Sequence, residues 1–235
     1  MDFDMEMDYS CYRADEFERC TDRLGVTPLD ILFAGATGAG KSTTLNALLG
    51  GGKAVVGKGT DPETVEVSHY QFGENVRFWD TPGLGDSPEK DKRHIEKLDA
   101  ILSERYGQSD KFGFIDMAVV IIDGSVRDMN TAVGVIELLK RHLDDDRIII
   151  AVNQADFAMK GLHFDYEKNQ PDGTLAEFLD NKALSVRRRL SESVGGKINL
   201  PVCYSAEYGY NITGLIDMII EHMPEKRRTK SRKRG

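Results

Sequence analysis

Residues Gly35 to Ser42 read Gly-Ala-Thr-Gly-Ala-Gly-Lys-Ser and satisfy the pattern G-x-x-x-x-G-K-[ST] at every fixed position. The apolar run Ile31 to Ala34 precedes this stretch, and Thr43-Thr44-Leu45-Asn46-Ala47-Leu48-Leu49 follows it with helical apolar spacing. The expected order is therefore strand, glycine-rich loop, helix, which is the context the pattern needs if it is to hold a phosphate. Gly35, Ala36, Thr37, Gly38, Ala39 and Gly40 can turn their backbone N–H groups toward an anion, because the glycines remove the Cβ atoms that would stop the loop closing. Lys41, Ser42 and Thr43 open the helix, whose positive end faces the same anion. Lys41 adds a point charge for β- and γ-phosphates and is a candidate catalytic group, while the Ser42 hydroxyl is placed to ligate Mg²⁺.

The 235 residues suffice for one well-buried α/β domain with short extensions. The longest apolar runs, Met117 to Ile122 and Ile148 to Val152, are far below the length of a bilayer-crossing helix, so no transmembrane segment is expected. Met1-Asp2-Phe3-Asp4-Met5-Glu6 is acidic where a secretory signal is basic and then apolar. Cys11, Cys20 and Cys203 have spacings that suit no metal site, and reduced thiols are expected, in a cytoplasmic protein for which a place peripheral to a membrane stays open. Lys226-Arg227-Arg228-Thr229-Lys230-Ser231-Arg232-Lys233-Arg234 carries seven positive charges against a net charge of -8, which leaves the body strongly acidic. General nucleic-acid binding by that body is excluded; the basic tail is the segment expected to meet an anionic membrane or RNA.

Along the chain, Met1 to about Tyr9 reads as acidic and disordered, and Tyr12, Phe17, Cys20 and Leu24 mark a short amphipathic helix. Gly50 to Glu63 is polar and glycine-rich with no period, as a nucleotide-sensing switch should be. Val65 to Phe72 alternates, turns at Gly73-Glu74-Asn75 and returns as Val76 to Trp79, predicting an antiparallel hairpin of the second and third strands. Helices are expected over Glu89 to Tyr106, with Ile95, Leu98, Ile101 and Leu102 inward, and over Thr131 to Leu143, Leu175 to Val194 and Ile212 to Met223. Buried strands are expected over Met117 to Ile122 and Arg147 to Val152 and a last strand over Leu200 to Tyr204, with an irregular stretch from Phe157 to Thr174. Arg187-Arg188-Arg189 reads as a solvated face. The alternation of strands and helices predicts an α/β fold with a mainly parallel sheet covered on both faces and one antiparallel strand from the hairpin.

Three further positions carry chemistry. Asp80 ends the third strand, where an acid can hold Mg²⁺, and Gly83 offers a backbone N–H to a γ-phosphate. Asn153-Gln154-Ala155-Asp156 falls at the carboxyl end of a strand, where ligands bind in open α/β sheets. The Asp156 carboxylate can accept from the N1–H and exocyclic amine of guanine, a pair of donors that adenine lacks. Ser205-Ala206 follows the last strand and completes the base pocket with backbone N–H groups.

In that order and spacing, Gly35–Ser42, Asp80–Gly83, Asn153–Asp156 and Ser205-Ala206 resemble the first, third, fourth and fifth motifs of the GTPase superfamily, over roughly Leu29 to Met223. The Thr-Gly-Ala-Gly-Lys-Ser loop and the Asp-Thr-Pro-Gly-Leu-Gly-Asp turn look most like the Era and septin-like branch. The resemblance implies a P-loop NTPase three-layer sandwich, GTP or GDP with Mg²⁺, and a switch threonine that ligates the metal only in the triphosphate state. Thr60 and Thr64 are both candidates for that threonine. Three residues depart from the pattern: Gln154 stands in place of the usual Lys, Leu84 in place of the water-orienting Gln of Ras-like enzymes, and Gly38 in place of the Asn of potassium-activated members. The expected organisation is an extension over residues 1–26, a GTPase domain over 27–224 and a basic tail over 225–235. The expected activity is slow, Mg²⁺-dependent GTP hydrolysis working as a switch, completed by a GTP-dependent homodimer or another partner. The alternatives are a nucleotide-gated assembly module with little turnover, and an ATPase or kinase that would leave Asp156 unexplained.

Overall fold

The computed structural model describes residues 9–24, 28–50, 56–57, 68–85, 87–105 and 112–228. Thr60, Thr64, most of the glycine-rich segment and the far end of the tail lie outside the described residues. The seven-stranded sheet runs in the order β2-β3-β4-β1-β5-β6-β9. Its strands are β1 (Leu29–Gly35), β2 (Val56–Gly57), β3 (Ser68–Phe72), β4 (Val76–Asp80), β5 (Met117–Asp123), β6 (Ile148–Asn153) and β9 (Val202–Cys203). The pairs β4·β1, β1·β5, β5·β6 and β6·β9 are parallel. The hairpin β3·β4 is antiparallel, as its alternation predicts, and the short β2 adds a second antiparallel pair on the far side of β3. One strand, β3, thus runs against the rest, and the fold class read from the sequence holds.

Helices α1 (Ala14–Leu24), α2 (Lys41–Leu48), α3 (Pro88–Ser103), α4 (Asn130–Leu139), α5 (Gly173–Val194) and α6 (Ile212–Glu221) surround the sheet. The alternating residues of β1 send Leu29, Ile31 and Phe33 into a core shared with α1, α2 and α6, and Leu32 and Ala34 into a core shared with α3, α4 and α5. Central strands buried on both faces explain their continuous apolar runs. Helix α3 begins at an N-cap, Ser87, whose side chain accepts from the Lys90 N–H. It buries Leu98, Ile101 and Leu102. Ile95, expected on the same face, is 42% exposed.

Several boundaries differ from the sequence expectation. Tyr9 belongs to the body: it is buried, and its hydroxyl donates to the Gly209 carbonyl. The stretch after Asp156 contains a small hairpin of β7 (Phe164–Asp165) and β8 (Gln170–Pro171). The last strand shrinks to Val202–Cys203. At the opposite end of the sheet from the phosphate loop, Arg227 and Arg228 are buried side chains, although both fall in the segment expected as a free tail. Arg187, Arg188 and Arg189 lie exposed on α5, as a solvated face. Among the described residues, no helix is long and apolar enough to cross a membrane.

Candidate functional site

The carboxyl ends of β1, β4, β5, β6 and β9 converge on one rim of the sheet, and the four motifs sit there together. Gly40 closes the glycine-rich loop in a left-handed conformation, φ 87°, immediately before α2. A Cβ at Gly40 would lie 2.1 Å from Asn153 Nδ2, so only glycine lets the loop approach the base motif this closely. Asn153 uses that proximity: its Nδ2 donates to the Ala39 carbonyl at 3.0 Å, and its Oδ1 accepts from the Ala206 N–H at 2.9 Å. One buried amide therefore ties the first, fourth and fifth motifs into a single frame. Gln154, with φ 62°, adds a longer contact from Nε2 to the Gly38 carbonyl at 3.4 Å.

Lys41 is buried, and its Nζ donates to the carbonyls of Ala36 at 2.8 Å and Gly35 at 3.3 Å. The ammonium is thus held over the loop at the place where an anion would lie. Thr43 is exposed at the first turn of α2. Ser42 Oγ donates to Asp80 Oδ2 at 2.7 Å. The other oxygen, Asp80 Oδ1, is buried with no hydrogen-bond partner among the described residues, and burial holds the carboxyl above its ordinary range. An orphaned carboxylate oxygen beside a hydroxyl is a donor set that fits Mg²⁺, since hard oxygen ligands and a missing counter-charge are what that ion satisfies.

The turn after Asp80 packs onto the loop. Thr37 N–H donates to the Leu84 carbonyl at 2.8 Å, and Leu84 N–H donates to the Gly35 carbonyl at 3.3 Å. A Cβ at Gly83 would lie 2.5 Å from Thr37 Cα, which leaves glycine as the residue this contact permits. His94 on α3 bonds the Gly83 carbonyl through Nδ1 at 2.8 Å, a contact with no counterpart in the motif pattern. Its sequence signal is slight, a lone histidine on an amphipathic helix. Leu84 itself is 7% exposed, its side chain inside the core under α3 and α4.

Asp156 is buried at the base end, close enough to Tyr166 to help burial hold that phenol above its ordinary range. Ser205 and Ala206 are also buried. Ser205 N–H donates to the Tyr210 carbonyl, so of these two amides it is Ala206 that bonds Asn153. Beneath them the Tyr204 hydroxyl and Thr44 Oγ1 share a 2.8 Å hydrogen bond that fastens the residue after β9 to α2. The site residues expected from the sequence are thus brought together, apart from Thr60 and Thr64, which lie outside the described residues.

A glycine-rich loop capping a helix, an acid at the next strand's end and an Asn/Asp base motif define a P-loop nucleotide-binding domain. Residues 30–154 match the family described as 50S ribosome-binding GTPase, and the chain belongs to that family of P-loop GTPases. It is 33% identical over 129 residues to the tRNA modification GTPase MnmE of Chlorobium phaeovibrioides, covering 54% of this chain and 25% of the relative. It is 27% identical over 147 residues to GTPase Der of a Bradyrhizobium species, covering 60% of this chain and 30% of the relative. The chain therefore spans about a quarter to a third of the curated relatives it matches. Among solved structures, Toc33 from Arabidopsis thaliana in complex with GDP and Mg²⁺ superposes with a TM-score of 0.58 at 15% identity, covering 92% of this chain and 95% of that one, a likeness of fold. Members of the family bind GTP or GDP with Mg²⁺, the cofactors expected from the motifs.

Proposed function

We propose that this GTP-binding domain works as a nucleotide-controlled switch of the Era and septin-like branch, hydrolysing GTP slowly to GDP and phosphate in a Mg²⁺-dependent reaction. The observation that carries the reading is the pair of hydrogen bonds joining Thr37 and Gly35 to Leu84. They couple the phosphate loop to the Asp80–Gly83 turn, so groups competing for the loop amides would also move the turn. Conversion of one set of contacts into another is the two-state element a switch needs.

In this reading the loop amides and Lys41 bind the phosphates, and Ser42, Asp80 and either Thr60 or Thr64 hold the metal. When bound, Mg²⁺ neutralises charge on the β- and γ-phosphate oxygens. Asp156 accepts from guanine, Asn153 holds the loops that frame the base, and Gly83 presents its N–H to the γ-phosphate. The nucleophile is water, and its activating group must come from elsewhere, because Leu84 is apolar and turned into the core. A second protomer or another partner docking across the nucleotide face would supply it. Residues 1–26 and the tail beyond Arg228 are read as extensions of a GTPase domain in a cytoplasmic protein.

The buried Leu84 also favours the runner-up, an assembly module that binds GTP with little turnover. Single-turnover hydrolysis of GTP at increasing protein concentration separates the two. Phosphate release that stays at the uncatalysed rate at every concentration would exclude the enzyme reading and leave the module.

A further inference from the structure

The turn after Asp80 is held from two sides. Toward the nucleotide site, Leu84 gives both its backbone groups to the phosphate loop: its N–H donates to the Gly35 carbonyl at 3.3 Å, and its carbonyl accepts from the Thr37 N–H at 2.8 Å. Toward α3, the flanking backbone groups are taken by two side chains. His94 Nδ1 bonds the Gly83 carbonyl at 2.8 Å, and Asp91 Oδ1 accepts from the Gly85 N–H at 2.8 Å. A carbonyl oxygen only accepts, so Nδ1 is a protonated nitrogen of His94. A spacing of three residues puts Asp91 and His94 on one face of the helix.

Each peptide of the turn is therefore gripped at both ends. The Gly83–Leu84 peptide runs between His94 and Gly35, and the Leu84–Gly85 peptide between Thr37 and Asp91. Rotating either one breaks a bond to the loop and a bond to α3 together. Docked in this way, the turn leaves no space beside Thr37: a Cβ on Gly83 would lie 2.5 Å from Thr37 Cα and 2.7 Å from its nitrogen. A diphosphate held by the rest of the loop does not need that space. A γ-phosphate that meets the Gly83 N–H does, so the turn has to lift to admit it. Side chains that hold only the docked turn favour the nucleotide that leaves it docked.

We propose that His94 and Asp91 are positioning residues, a latch on α3 that holds the Gly83–Gly85 turn against the phosphate loop and so biases the chain toward GDP over GTP. The bias rests on the switch reading above, whereas the latch itself does not. Affinities of the full chain for GDP and for a non-hydrolysable GTP analogue, both with Mg²⁺, measure the preference. His94→Phe keeps a ring and loses the donor. It should move the preference toward the analogue by about fivefold, the weight of one side-chain hydrogen bond, with GDP affinity little changed. His94→Asn, whose amide nitrogen can stand in for Nδ1, should keep the preference of the unaltered chain. Asp91→Ala should shift it in the same direction as His94→Phe, and it tests the latch even where His94→Phe does not fold. Equal losses for both nucleotides, or the same shift in His94→Phe and His94→Asn, mean that packing alone is at work and overturn the latch. In the nucleotide-free chain, hydrogen exchange at the Leu84 and Gly85 amides should quicken in His94→Phe and Asp91→Ala. The amides of Val119 and Ile150, in buried strands, should stay protected and report an intact fold. Unchanged exchange at Leu84 and Gly85 overturns the latch, and quickened exchange with an unchanged preference overturns its bias. A chain that binds neither nucleotide would sink the switch reading, with the exchange rates still deciding the latch.

Discussion

Arg227 sets its guanidinium Nη1 3.0 Å from Oδ2 of Asp116, and both side chains are almost wholly buried. Arg227 also donates to the Pro28 carbonyl, and Asp116 Oδ2 accepts from the Asp30 N–H at 3.3 Å. Asp30 in turn pairs with Arg77 at 2.8 Å and accepts from Trp79 Nε1 at 2.7 Å. Arg227 thus locks the starts of β1 and β5 at the end of the sheet opposite the candidate site. Burial outweighs the attraction of Arg227 and pushes the Asp116 carboxyl up to about 6.

That shift fixes the sign of a pH dependence. The native state keeps the Asp116 proton to about pH 6, whereas the unfolded chain releases it near its ordinary value of 3.8. Between those values the native state binds more protons, so stability falls as pH rises through the window and levels off above it. The difference corresponds to about 3 kcal/mol. Asp116→Asn should shrink that slope without abolishing it, since burial raises Asp30 as well. Urea unfolding between pH 4 and 7 measures it, and a slope unaffected by the substitution would exclude Asp116 as its source.

Replacing Arg227 by Met removes the nearest counter-charge, so Asp116 holds its proton to still higher pH. The loss of stability should be larger at pH 8 than at pH 5, and on the order of 3 kcal/mol at the higher pH, as when one partner of a buried pair is removed. Equal losses at both pH values would mean that the packing of the side chain, not its charge, sets the cost.

A tail truncated before Lys226 would confuse this clasp with any surface binding. Ending the chain after Arg228 keeps the clasp and removes Lys230, Arg232, Lys233 and Arg234. The shorter chain should melt like the full chain and bind nucleotide equally well. It should lose salt-sensitive adsorption to acidic vesicles or to RNA, each basic side chain contributing about 1 kcal/mol at a lipid surface. Full-length protein that adsorbs to neither at low salt would end the tether idea.

The phosphate loop, the Asp80 turn and the base motif were legible because each fixes residue types at fixed spacing within a strand–loop–helix frame. The hairpin was legible from its period of two. The Arg227–Asp116 clasp was not, because nothing local in a basic run distinguishes a buried arginine from a solvated one. A signal did exist on the other side: Asp30 inside the apolar β1 and Asp116 just before the apolar β5 are acids that burial leaves in need of a cation. The contacts made by Gln154 and His94 escape for a different reason. Their contacts are with backbone carbonyls of other motifs, which accept from any donor that geometry brings near. The β7–β8 hairpin is set by two short bridged pairs and by Phe164 packing on Tyr210, too short a pattern for periodicity to register.

Base selectivity should reside in the Asp156 carboxylate. Asp156→Asn replaces two acceptors by one acceptor and one donor, which suits the edge of xanthine better than that of guanine. GTP affinity should fall by at least tenfold and XTP affinity should rise, as measured by competition against a fluorescent GDP. Unchanged GTP affinity would withdraw Asp156 from the base pocket.

Hydrolysis poses the remaining question, because the side chain that follows Gly83 cannot orient water. Leu84 lies beside Leu98 and Val135 in the core under α3 and α4, so even a glutamine there would have to leave an apolar pocket before reaching the nucleotide. Leu84→Gln should therefore destabilise the domain by about 1–3 kcal/mol and fail to raise turnover. A partner group is the alternative source, and an arginine supplied across an interface can be worth 10³–10⁵ in rate. If that partner is a second copy, GTP and not GDP should favour the dimer, and specific activity should rise with protein concentration. Sedimentation in each nucleotide state and a rate-versus-concentration series test both points. A monomer in GTP with concentration-independent turnover would eliminate the homodimer and direct the search to a different activating protein.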